Sequence, residues 1–291
     1  MQLREAVELS TARLSAGQHP ERARRDAETL LLHLTGKNRA WLLAHADDEF
    51  GGCTAVRYAC LLERRLAGEP IQHITGEAEF FGLPFRVTRD VLIPRPETEH
   101  LVEKAIALAT PCPAPRIVDV GTGSGVIAVT LAQALPNGEV SAIDISPAAL
   151  DIARENARLN GVADRVRFLQ GDLLEPVLGE SFDFVVSNPP YVPEADRPTL
   201  SVEVRDFEPA LAIFAGKDGL DIYRRLTPDS AKVLRPGGFL LLEIGFGQAE
   251  AVSGLFKAGG FERIEGTPDL QGITRVLRGQ LNESQSWTRR A

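Results

Sequence analysis

From Leu3 to about Gly68 the apolar positions recur at helical spacing. The pattern is clearest at Ala27, Leu30, Leu31 and Leu34, where the i, i+3, i+4, i+7 rhythm defines one buried stripe. Gly36 is placed to stop that helix. Asn38 and Thr54 each offer a side-chain oxygen to cap a following helix, so residues 1–75 are predicted to form a small helical domain. Glu79 to Val87 reads as a strand, a tight Gly/Pro-containing turn and a second strand, a hairpin within a linker over residues 76–94. The pattern then changes. Short apolar runs at Ile117–Val120, Val140–Ile143, Val166–Leu169, Phe182–Val186 and Phe239–Ile244 alternate with helical stretches. That alternation predicts an α/β domain over residues 95–280, a parallel sheet with helices on both faces. Ser146-Pro147 supplies an N-cap with proline at the first helical position, and Asn160-Gly161 supplies a stop. Pro236-Gly237-Gly238 predicts a turn before the fifth strand, and residues 281–291 lack periodicity and read as a loose tail.

The 291 residues are 44% hydrophobic and 25% charged, which suits two globular domains and excludes wholesale disorder. No run approaches the roughly 18–20 apolar residues that cross a bilayer, and Met1-Gln2-Leu3-Arg4-Glu5 lacks a signal-peptide core, so a cytoplasmic protein without membrane association is expected. Cys53, Cys60 and Cys112 show no metal-binding spacing and read as reduced structural thiols. A net charge of −8 argues against direct DNA binding. Arg22, Arg24 and Arg25, and Arg64 with Arg65, are the basic clusters of note. They fit either solvated helix faces or contacts to an acidic or RNA-rich partner.

Candidate chemistry begins at Val118 to Gly125. Gly121, Gly123 and Gly125, with Thr122 and Ser124 between them, follow a strand and precede a helix, so the backbone can approach a ligand closely there. The spacing G-x-G-x-G differs from the dinucleotide fingerprint G-x-G-x-x-G. A glycine turn without a ligand is the plain alternative. Asp144 ends the second strand, where such sheets hold ribose hydroxyls, and also stands just before the Ser146 cap. Asp172 closes the third strand with Leu173 beside it. It is a candidate acceptor for an adenine amino group, with the leucine packed on the ring, or else a turn aspartate.

Ser187-Asn188-Pro189-Pro190-Tyr191 follows the fourth strand at the carboxyl edge of the sheet. Two successive prolines donate no backbone hydrogen bond, which leaves the carbonyls beside them free to accept. An amide or aniline-like NH₂ is a weak nucleophile because its lone pair is delocalised. The Asn188 side-chain oxygen and the Pro189 carbonyl, with Pro190 stiffening the loop, form a pair able to hold both N–H bonds and aim the nitrogen at a methyl group. Tyr191 would wall in the planar group.

With these residues in place, the chain resembles the HemK/PrmC family, the release-factor glutamine methyltransferases, over roughly residues 20–280. The resemblance extends to Pro70–Gly76, Ile93–Glu99 and Phe207–Leu211. His73 departs from it, standing where the family more often has tyrosine. The resemblance implies a Rossmann-like methyltransferase sheet with S-adenosylmethionine over Gly121–Gly125, Asp144, Asp172, Leu173 and Asn188, and S-adenosylhomocysteine as product. It also implies methylation at N5 of the glutamine in the Gly-Gly-Gln motif of class-one peptide chain release factors, with the helical domain helping to dock the factor. Under it Arg95 and Glu97 border the cleft or form an interdomain ion pair, and Glu243 is either a pocket wall or a structural hydrogen-bonding group. Three alternatives share part of this pattern: an adenine N6-methyltransferase of nucleic acid, which uses a similar Pro-Pro-Tyr loop, a glutamine methyltransferase of a ribosomal protein, and an inactive binding module that keeps the fold.

Overall fold

A computed structural model describes residues 1–283, which fold as two compact units. Residues 284–291, most of the expected tail, lie outside the described residues. The first unit holds α1 (Leu3–Ser15), α2 (Ala23–Thr35), α3 (Arg39–Ala44), α4 (Gly52–Leu66) and α5 (Ile71–Thr75). Ala27, Leu30 and Leu31 of the anticipated stripe are fully buried, against Tyr58 and Leu62 among others. Gly36 ends α2 in the left-handed region, and the Asn38 side chain accepts from the Trp41 N–H at 2.9 Å, as the capping pattern requires.

Thr54 does not cap α4. That helix starts two residues earlier, at Gly52, with no side-chain cap. Arg65 also departs from a solvated face. It is buried, and its guanidinium donates to Asp26 at 2.7 Å and to Glu203 at 2.6 Å, because its helix turn faces the core and a buried cation requires paired acceptors. The cysteines are free, but Cys53 and Cys60 are exposed on α4 and have no packing role there.

The second unit opens at Ala78, inside the hairpin of β1 (Glu77–Phe80) and β2 (Leu83–Arg86), turned at Phe81 and Gly82, both of which have positive φ. It continues through α6 (Pro96–Ala109), β3 (Arg116–Val120), α7 (Val126–Ala134), β4 (Glu139–Asp144), α8 (Pro147–Leu159), β5 (Val166–Gln170) and β6 (Phe182–Ser187). The helix α9 (Val202–Phe207) belongs with the first unit, where Glu203 joins Arg65. The sheet unit then resumes with α10 (Asp221–Val233), β7 (Leu234–Glu243), α11 (Ala249–Ala258), β8 (Phe261–Pro268) and β9 (Thr274–Leu281).

Seven strands lie in the order β5-β4-β3-β6-β7-β9-β8, parallel from β5 to β7, with β9 and β8 antiparallel at one edge. The five anticipated strands are β3 to β7. Pro236-Gly237-Gly238 lies inside β7 rather than in a turn before it, and an irregularity in the β6–β7 register absorbs these residues. The chain runs outward from β3 through β4 to β5, then returns to β6 on the other side of β3. The crevice at the carboxyl ends of β3 and β6 is therefore the topological switch point where sheets of this kind hold ligands. Among the described residues no helix is long and apolar enough to cross a membrane.

Candidate active site

A cavity of about 270 Å³ opens at that crevice, and its walls come from both motif loops. Gly121, Gly123 and Gly125 have φ of 71°, 54° and 83°, a region closed to most side-chain-bearing residues. A Cβ at Gly121 or Gly123 would meet no protein atom within 4 Å, so the backbone there is open to a ligand. Gly125 is different. It caps α7, does not line the cavity, and a Cβ there would lie 3.0 Å from that of Ala153, which makes it a packing residue between α7 and α8. Thr122 and Ser124 line the cavity.

Asp144 takes the turn role and also faces the cavity. Its carboxylate accepts from the Gly123 N–H at 2.8 Å and the Ser146 N–H at 2.9 Å, and it still lines the cavity. It thereby ties the glycine loop to the β4 end. Asp172 and Leu173 also line the cavity. Asp172 accepts from Arg225 at 2.6 Å, and Leu173 holds a φ of 52°, an uncommon conformation of the kind that gathers at ligand sites.

Beneath the glycine loop lies Asp119, fully buried at the end of β3. One oxygen accepts from the Thr122 hydroxyl at 2.6 Å and the Ala128 N–H at 3.2 Å; the other has no protein partner. Burial is the main force raising its pKa to about 7, and Asp144 adds to it.

Asn188, Pro189 and Pro190 line the same cavity, opposite the glycines across the switch point. The loop is anchored by Ser187, whose hydroxyl donates to the Val120 carbonyl at 2.6 Å and so joins the ends of β6 and β3. Tyr191 does not line the cavity. Its hydroxyl stands 3.4 Å from Glu243, and its carbonyl accepts from Gln248 at 3.0 Å, so it braces the loop from behind. Arg95 lines the cavity and forms a forked ion pair with Glu208, 2.7 Å to each oxygen, inside the sheet unit rather than between domains. Glu97 does not line it.

Sequence reasoning missed one group and left another open. Asn188 Nδ2 donates to the Thr98 hydroxyl at 3.0 Å, and that hydroxyl donates to Glu243 at 2.6 Å. Thr98 and Glu243 are almost wholly buried, and burial raises the Glu243 pKa to about 7 against the opposing hydrogen bond from Thr98. The available signal was Glu243 itself, an acid closing the apolar run Phe239–Leu242, a placement that demands a buried partner.

Residues 98–205 match the family described as methyltransferase small domain, and residues 5–76 match the PrmC N-terminal domain. A release factor glutamine methyltransferase from Moorella thermoacetica is 48% identical over 284 residues, covering 97% of this chain and 100% of its own. One from Deinococcus radiodurans is 42% identical, covering 96% and 99%. A methyltransferase from Pyrococcus furiosus shares the fold at TM-score 0.52 and 18% identity, over 70% of this chain and 91% of its own. Two domain matches and identity along nearly the whole length lead to one conclusion: the chain belongs to the release factor glutamine methyltransferase family.

Proposed function

We propose that this protein transfers a methyl group from S-adenosylmethionine to the N5 amide nitrogen of the glutamine in the Gly-Gly-Gln motif of class-one peptide chain release factors, in the cytoplasm. The observation that carries the reading is a single cavity walled on one side by open glycine backbone and on the other by Asn188 and Pro189. The residues present fit the methyl donor. Backbone at Gly121 and Gly123 leaves room for it, Asp144 offers carboxylate lone pairs to its ribose, and Leu173 offers an apolar surface to its base. When bound, it supplies a methyl group already activated by a positive sulfur and leaves as S-adenosylhomocysteine.

The chain's own residues then need to supply alignment rather than acid or base chemistry. The Asn188 side-chain oxygen and the Pro189 carbonyl accept the two N–H bonds of the glutamine amide, which turns the nitrogen lone pair toward the methyl group. Holding the reacting atoms near 3 Å supplies most of the acceleration such a displacement needs. The nitrogen loses one proton after the new C–N bond forms, and water takes it.

Incubation with labelled S-adenosylmethionine and, in parallel, a release factor, ribosomal proteins and DNA tests the reading. Label on the release-factor glutamine is expected. Label on DNA adenine or on a ribosomal glutamine, with none on the factor, overturns it.

A further inference from the structure

The Asn188 amide has two ends, and only its oxygen can accept from a substrate NH₂. The buried groups behind it decide which end faces the cavity. The Thr98 hydroxyl has one hydrogen to give. It lies 2.6 Å from Glu243 Oε2, and when Glu243 is ionised its carboxylate only accepts, so the hydrogen goes to Glu243. The lone pairs of Thr98 are then left for a donor, and Asn188 Nδ2 fills that role at 3.0 Å. With Nδ2 committed to Thr98, Oδ1 faces the other way, into the cavity that Asn188 lines.

We propose that Thr98 and Glu243 are positioning residues whose hydrogen-bond relay fixes the polarity of the Asn188 amide, and so selects a substrate nitrogen that donates. This deepens the functional reading above and rests on it. The relay spans three separate elements: the first turn of α6, the end of β7 and the loop after β6. The second oxygen of Glu243 lies 3.4 Å from the Tyr191 hydroxyl, so the same carboxylate braces both ends of the Asn188–Tyr191 loop.

A protonated Glu243 can donate to Thr98, which frees the Thr98 hydrogen for the asparagine oxygen and reverses the chain. The groups acting on Glu243 are Glu97 and Thr98 from α6, Tyr191 from the loop after β6 and Arg275 from β9, with the Tyr223 hydroxyl of α10 on its backbone carbonyl. Its pKa near 7 places the reversal within reach of an ordinary pH series.

The test is a set of single-turnover methylations of release factor by wild type, Thr98→Val, Thr98→Ser and Glu243→Gln, with cofactor affinity and melting temperature measured alongside. Thr98→Val keeps the shape and removes the hydroxyl. Its rate should fall roughly 10- to 100-fold, the scale of a misaligned reacting pair, with cofactor affinity within about threefold of wild type. Thr98→Ser keeps the hydroxyl and should recover most of the rate. The wild-type rate should decline as pH falls through about 7, and Glu243→Gln should lose that decline. A folded Thr98→Val protein at wild-type rate overturns the relay. So does Thr98→Ser as slow as Thr98→Val, or a pH profile of Glu243→Gln that is identical to wild type in the same range where Asp119 also titrates. Should Thr98→Val fail to fold, the pH profiles of wild type and Glu243→Gln decide alone. A wild type that leaves the glutamine unlabelled overturns the functional reading and the relay with it, whereas labelling insensitive to these substitutions overturns the relay alone.

Discussion

The two loops that wall the cavity are held by different means. The glycine loop is held through its backbone N–H groups: three residues stand in the left-handed region, the Gly121 and Thr122 N–H groups donate to the Ile143 carbonyl at 2.9 Å, and the Gly123 N–H donates to the Asp144 carboxylate. The Asn188–Tyr191 loop is held by side chains from elsewhere, Thr98 and Glu243 above all, 90 and 55 positions away along the chain. Backbone conformation shapes a surface for a ligand that needs close approach. A side-chain relay gives a hydrogen-bonding group a direction, which is what a substrate nitrogen needs. Each loop also rests on a buried carboxylate, Asp119 or Glu243, with its pKa raised to about 7.

That shared feature gives the prediction with the largest expected effect. The folded pKa of Glu243 stands above the ordinary value of 4.5, so its favourable contribution is fully present below pH 4.5 and is lost as pH rises through about 7. Glu243→Gln removes the cost of a buried charge. At pH 8 it should therefore be more stable than wild type by on the order of 3 kcal/mol, and the gain should vanish near pH 4. Chemical denaturation across pH checks this. A substitution that stabilises while slowing methyl transfer would show that the second loop keeps its relay at the expense of stability. A loss of stability at pH 8 would refute the raised pKa.

Asn188→Ala comes next. It removes the acceptor while leaving the glycine loop untouched, so single-turnover transfer should fall on the order of 100-fold with little change in cofactor affinity. Asp144→Ala should do the reverse. It should weaken S-adenosylmethionine binding through the loss of charge-assisted hydrogen bonds of roughly 1.5–3 kcal/mol each, read by calorimetric titration. It should also loosen the glycine loop, since Gly123 and Ser146 lose their acceptor. Equal damage to binding and rate in both variants would erase the distinction between the loops.

That distinction also governs what the sequence made legible. Gly121 and Gly123 could be read because left-handed backbone requires glycine at fixed positions, and the Pro189-Pro190 pair because proline removes donors. The strands β3 to β7 could be read as buried apolar runs of a parallel sheet. The β8 and β9 edge was not, because Phe261–Pro268 is mostly exposed and mixes charge with apolar residues, leaving no continuous run. The close packing of Gly125 on Ala153 could not be read, because glycine spacing does not distinguish contact with a ligand from contact with a neighbouring helix. The direction of Tyr191 could not be read, because aromatic character says nothing of it, and its hydroxyl turns to Glu243. Thr98 was out of reach. A threonine in the first turn of a helix has an ordinary local role, and only the fold brings it between Asn188 and Glu243.

The smallest expected effect lies at the rim, where Arg225 donates to Asp172 at 2.6 Å with both side chains partly in solvent. The pair resembles the Thr98–Glu243 contact in length but not in surroundings, and exposed pairs contribute less than about 1 kcal/mol because water screens them and ordering two side chains costs entropy. Arg225→Ala should therefore leave the melting temperature nearly unchanged, and raising salt should shrink what difference remains. Its effect on cofactor affinity decides the role of Asp172. If that carboxylate accepts from the adenine amino group, losing the arginine frees an oxygen without removing the acceptor, and affinity should stay within about fivefold, since less than about 1 kcal/mol is at stake. Asp172→Ala, which deletes the acceptor, should cost about one charge-assisted hydrogen bond, roughly 1.5–3 kcal/mol. If Arg225→Ala weakens binding more than Asp172→Ala does, the guanidinium rather than the carboxylate holds the ligand, and the assignment of Asp172 to the adenine fails.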